Sequence, residues 1–253
     1  MHTTTSFDSA PTAARTPSPV QPGRRVIDAP IRMFHWLFAL SFAGAYLTAE
    51  GEHWRALHVT LGYTMAGLLA FRLAYGVFGP RQASLGAMAR KVAGAPAWIR
   101  SAAHAGSLGG INWRQGQNLL MAAAVITMLV WVLPLTLSGY GSYNDWGDFL
   151  GGDWLEELHE FFGNTFLLLV LAHLALILVL SVLRGKNQAL PMLTGRADGP
   201  GPNLVQNNRA WLAVLLLLAV LAFGVWQWQE SPQGLISAQA LSSTGSGHGD
   251  DDD

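Results

Sequence analysis

The 253-residue chain contains no cysteine. That excludes a disulfide framework, a thiolate-bound iron–sulfur cluster and covalent haem attachment through a Cys-x-x-Cys-His motif. Charge is scarce as well. Asp, Glu, Lys and Arg make up 12% of residues, about half the usual share in soluble domains. With 51% hydrophobic residues and a mean hydropathy of +0.28, the composition points to a bilayer. The net charge of −1 provides no bulk attraction to nucleic acid. The first 25 residues, rich in Pro, Ser, Thr and Ala, lack the apolar stretch of a secretory signal and read as a disordered tail.

What the chain does have is long apolar runs. Five are near the length a bilayer demands, roughly 20 residues: 34–49, 58–78, 118–138, 159–183 and 210–228. The first is short and must use its flanks. Between the runs the charges sort by sign. Arg15, Arg24, Arg25 and Arg32 precede the first run. Arg81, Arg90, Lys91, Arg100 and Arg114 follow the second, and Arg184, Lys186, Arg196 and Arg209 follow the fourth. The acids collect on the opposite side: Glu50 and Glu52, then Asp145, Asp148, Asp153, Glu156, Glu157 and Glu160, then Glu230 and the terminal Asp250–Asp253. Basic loops stay in the cytoplasm. The expected topology is a multi-pass protein of a bacterial inner membrane, with its N-terminus cytoplasmic and its C-terminus periplasmic.

Ionisable residues inside a span are costly and point to function. Of eight histidines, His2 and His248 lie in the tails, His104 in a basic loop and His53 in a short outer loop. The other four are His35, His58, His159 and His173. Fourteen residues separate His159 from His173. That is about 40° short of whole helical turns and roughly 21 Å of rise, so both share one face of the fourth span. His35 opens the first span at the depth of His173, and His58 opens the second at the depth of His159. Charge-derived topology thus sorts four histidines into two levels.

Two imidazoles per level suit a centre that brings its own remaining ligands. Zinc normally takes four protein ligands, and the span interiors offer no Asp or Glu. Copper fits the ligand type. Haem fits better, because the porphyrin supplies four nitrogens and the core of a helix bundle accepts an apolar macrocycle. Hydrogen bonding between helices accounts for one such histidine more readily than for four in two depth-matched pairs.

Glycine follows each outer histidine by four residues, in "HVTLG" (Gly62) and "HEFFG" (Gly163). Position i+4 lies on the same face one turn along, where a missing side chain leaves room for a ring; close helix packing is the alternative use. Arg72, fourteen residues after His58, shares its face at the cytoplasmic end. It either meets a buried anion, such as a haem propionate, or snorkels to the interface.

Four stretches carry a family likeness. "PIRMFHWLFALSF", "HVTLGYTMAGLLAFRLAYGVFGPRQASL", "LHEFFGNTFLLLVLAHLALILVLSVL" and "LPMLTGR" together resemble the prokaryotic cytochrome b561-like family. That family includes the di-haem cytochrome b subunits of nickel–iron hydrogenases and formate dehydrogenases. The likeness covers about residues 24–198. It departs before the third span, where relatives carry a Gly-His-Asn-Pro-like stretch and this chain reads "GGINWRQGQN".

The resemblance implies an all-α integral membrane bundle with a four-helix di-haem core over 26–198; beyond the shared region, the apolar run and the terminal acids add a fifth transmembrane helix over 199–230 and an acidic tail over 231–253. It implies two haem b, held by His35 with His173 on the cytoplasmic side and by His58 with His159 on the periplasmic side. It also implies electron traffic between ubiquinone or menaquinone and a periplasmic redox partner. The acidic outer loop and tail favour a basic partner such as a c-type cytochrome. Alternatives are a superoxide:quinone oxidoreductase acting at the outer haem, or the electron-transfer anchor of a hydrogenase-like complex. From another class, a transporter using the histidines as polar relays should show more intramembrane acids or broken helices; Pro134 is the one proline within a span. Arg32, Trp36, Arg72 and Arg81 lie at the depth of the inner haem edge. An oligomer is compatible with all of this.

Overall fold

The computed structural model describes residues 23–147, 154–197, 199 and 201–230. The expected N- and C-terminal tails lie largely outside these residues, as does part of the acidic loop. The described chain is dominated by helices: α1 Ala29–Leu47, α2 Arg55–Phe78, α3 Leu85–Ala93, α4 Ala95–Ala103, α5 Trp113–Tyr143, α6 Trp154–Arg184, α7 Leu190–Thr194 and α8 Ala210–Glu230.

Four of them, α2, α5, α6 and α8, are long and apolar enough to cross a membrane. The expected first span forms as helix α1, but Arg32, His35 and the flanking Pro30 dilute its apolar character, and it is not among those four. Its 19 residues amount to roughly 28 Å at 1.5 Å per residue.

Two antiparallel helix pairs make the bundle, α1 with α2 and α5 with α6, joined where α2 meets α5. Between them lies a core of Phe42, Ala45, Met65, Leu69, Val132, Leu135 and Phe166. The outward faces are leucine- and valine-rich and exposed, including Leu168, Leu171, Leu178 and Val182 of α6. An apolar exterior of this kind suits helices solvated by lipid.

The basic end is laced together by polar backbone contacts. Strand β1, Arg24–Arg25, pairs antiparallel with β2, Arg196–Ala197. The Gly195 carbonyl accepts from the Val26 and Ile27 amides at 2.9 and 3.3 Å. Gly195 itself has φ +75°, and a Cβ there would stand 2.8 Å from the Ile27 carbonyl oxygen. Glycine is required by both conformation and space. The "LPMLTGR" stretch thereby clasps the start of α1, with Arg32 donating to the Leu193 carbonyl at 2.9 Å. The segment leading to α8 joins the same clasp: Asn208 accepts from the Ala29 amide through both its carbonyl and its side chain.

Candidate cofactor-binding site

Helix α1 is started by Asp28, whose side chain accepts from the Ile31 amide, with proline in the first turn. Seven residues in comes His35. Helix α2 begins at the acidic end and carries His58 in its first turn, while α6 carries His159 and His173.

At the acidic end His58 and His159 face each other. Their ring centroids are 6.0 Å apart and the planes perpendicular. Each Nδ1 is committed elsewhere. His58 Nδ1 lies 2.8 Å from the Ala45 carbonyl oxygen, and His159 Nδ1 lies 3.0 Å from that of Leu135. A carbonyl can only accept, so each Nδ1 carries the proton and each Nε2 keeps its lone pair. Ala45 lies in the last turn of α1, where helix carbonyls lack their usual partners; the helix terminus thus orients the ring. Two metal–nitrogen bonds of about 2 Å each account for most of the 6.0 Å, and the ring halves for the rest. The spacing fits one metal held between two imidazoles.

The surroundings leave room for something flat. A Cβ on Gly62 would meet no atom within 4 Å, and one on Gly163 only Leu135 Cδ1 at 3.9 Å. Gly139 of α5 is the opposite case. A Cβ there would sit 2.7 Å from His159 Cε1, so glycine is what lets α5 approach the ring. Ser138 Oγ also lies 3.4 Å from His159 Nδ1. Ala45, Leu135, Ser138 and Gly139 were invisible to motif reading, because two act through backbone carbonyls, one through a hydroxyl placed by the packing of α5 on α6, and the fourth through what it lacks.

At the basic end His35 and His173 are within electrostatic reach of each other. Neither Nδ1 has a hydrogen-bond partner, although both atoms are buried. Buried polar nitrogens are rarely left unpaired, and two on facing helices mark a polar site in an apolar bundle. Among the described residues no three His, Asp or Glu side chains converge as a metal site. The donor set is two imidazoles at each level, which fits a metal arriving with an equatorial ring.

Arg72 is 4% exposed and does not snorkel. Its Nη1 donates to the Ala83 carbonyl at 3.0 Å, and Asp28 and Tyr75 lie in electrostatic reach. Asp28, 1% exposed, accepts from the Tyr75 hydroxyl at 2.6 Å. The sequence reading left Arg72 either beside a buried anion or at the interface; the structure buries it within electrostatic reach of the Asp28 carboxylate, which that reading did not find. Trp36 and Arg32 are occupied by the Met192 and Leu193 carbonyls.

The family model described as prokaryotic cytochrome b561 matches residues 26–195, more than half of the chain. No curated protein and no solved structure matches it.

Proposed function

The chain belongs to the prokaryotic cytochrome b561 family, membrane proteins that transfer electrons through b-type haem, and on that premise we propose a di-haem carrier linking the quinone pool to a periplasmic redox protein. The observation that carries the reading is the His58–His159 pair, two imidazoles 6.0 Å apart with both Nδ1 atoms bound to helix carbonyls. His58 with His159 would hold the outer haem iron, and His35 with His173 the inner one. All four helices of the core take part, α1 included as a span.

Haem held by these histidine pairs would supply a reversible one-electron couple suited to electron transfer. The chain's own contribution is arrangement. Carbonyls of Ala45 and Leu135 fix the rings and raise their basicity. Phe42, Met65 and Phe166 fill the space between the two levels and keep it dry. Glu156, Glu157 and Glu160 at the acidic end, all three exposed, would steer a basic c-type cytochrome. The chain carries its N-terminus in the cytoplasm.

Purified protein should contain two haem b per chain, measured as the pyridine haemochrome. His173→Ala should remove the inner haem and leave the outer one, seen as loss of one of two steps in a redox titration. One haem per chain in the wild type would end the di-haem reading. Electron exchange with a basic c-type cytochrome should slow as ionic strength rises; a salt-independent rate would remove the acidic surface from the account.

A further inference from the structure

The stretch "INWRQGQN" lines a cavity of about 420 Å³ between α3 and the first turns of α5. Its walls are Lys91, Asn112, Arg114, Gln115, Asn118 and Leu119. The polar groups there are sorted by kind. Asn112 Oδ1 accepts from the Gln115 amide and its backbone carbonyl from Trp98 Nε1. Gln115 Oε1 accepts from Asn112 Nδ2, and Asn118 Oδ1 accepts from Arg184 Nη2. The side-chain acceptors are thus used within the protein. What faces the cavity without a partner among the described residues is a set of donors: the Lys91 ammonium, the Arg114 guanidinium, Gln115 Nε2 and Asn118 Nδ2.

A cavity of donors carrying two unpaired cations selects an anion with several acceptor oxygens. No acid occurs between Glu52 and Asp145 to compete for it. Depth identifies the source. Trp113, half-exposed beside Arg114, starts the long apolar helix α5, and tryptophan favours the headgroup level. Leu119 lines the cavity where the apolar part of α5 begins, and Leu120 beside it is 55% exposed, so the cavity opens at the edge of the apolar span. We infer that this cavity binds the phosphate of an anionic phospholipid from the membrane leaflet, with Lys91 and Arg114 holding the charge. The site is separate from the histidines and depends on the membrane reading only.

The test is native mass spectrometry of the full chain with phosphatidylglycerol, phosphatidylcholine or inorganic phosphate added. Wild type should retain one phosphatidylglycerol per chain, preferred over phosphatidylcholine by roughly tenfold or more, as two interfacial cations imply. Lys91→Gln with Arg114→Gln should lose the preference and keep the reduced haem spectrum. Arg90→Gln with Arg100→Gln, which removes equal charge from exposed positions outside the cavity, should retain it. Equal loss in both double variants would reduce the effect to general surface charge and overturn the site. Retention in the first variant would overturn it too. Release of the lipid by millimolar phosphate would make free phosphate the occupant. If the double variant fails to accumulate, Lys91→Gln alone reads the same preference from a surface helix.

Discussion

Phe166 of α6 meets Phe42 of α1 edge to face, their ring centroids 4.7 Å apart. Each is seven residues from a histidine of its own helix, Phe42 from His35 and Phe166 from both His159 and His173. Seven residues is about 20° short of two turns and roughly 10 Å of rise, so the rings share the histidines' faces midway between the levels. Met65 stands in the same relation to His58 on α2 and joins the cluster. One sequence period thus writes both the ligand levels and the partition between them.

Phe166→Ala should therefore disturb both levels at once. Phe166 is 2% exposed, and lipid does not reach the hole its removal leaves. The cost should be about 3 kcal/mol, the low end for a buried phenylalanine truncation. Thermal loss of the Soret band should come at lower temperature, and as a single transition. Phe166→Leu, which keeps most of the volume, should cost under about 1.5 kcal/mol. If truncation shifted only one haem signal, the ring would belong to one site rather than to a partition.

Gly139→Ala tests the outer site by crowding. Its new Cβ would lie 2.7 Å from His159 Cε1, a separation that forces the ring or α5 to move. The variant should lose the outer haem and keep the inner. An unchanged two-step redox titration would mean that α5 yields without cost.

Gly62→Ala tests the same site by filling. Its Cβ would meet no protein atom within 4 Å, so the helix should tolerate it and even gain a few tenths of a kcal/mol from alanine's helix propensity. If the macrocycle uses that space, haem content should fall toward one per chain. Gly67, equally open but exposed on the outer surface, is the control, and Gly67→Ala should keep two. Full haem content in Gly62→Ala would give the gap to lipid.

Much of this arrangement is legible in the sequence because period and charge are both global signals. The fourteen-residue spacing on α6 and the placement of His58 follow from helical geometry. The sorting of basic from acidic loops follows from transfer across a membrane. The pairing of His58 with His159 came from those two arguments alone. What escaped depends on contact. The Ala45 and Leu135 carbonyls carry no side-chain signature, and Gly139 matters only once α5 stands against α6. Asp28 was readable as a helix cap before "AP", but its second role needs Tyr75, 47 residues away. Helix α1 is the reverse lesson: the helix was legible, yet Arg32 and His35 weaken the composition that marks a span.

That second role of Asp28 supports the last prediction. Its carboxylate is buried at the basic end of the bundle, capping α1 while accepting from Tyr75 of α2 at 2.6 Å. Arg209, just before α8, donates to the same hydroxyl at 3.4 Å and holds a left-handed backbone, φ +46°, uncommon for a side chain of this size. One carboxylate therefore ties together the first, second and last long helices. Tyr75→Phe keeps the ring and removes the donor, leaving a buried carboxylate short of a strong hydrogen bond. The expected loss is about 1.5–3 kcal/mol, the range for bonds to charged groups, read as a lower unfolding midpoint in a thermal or denaturant series. Arg209→Gln acts at the longer contact and should cost under about 1 kcal/mol. Because His35 lies two turns along α1 from Asp28, the Tyr75 variant should release its inner haem before its outer one on heating. Simultaneous release from both levels would show that the knot holds the bundle as a whole and not the start of α1 in particular.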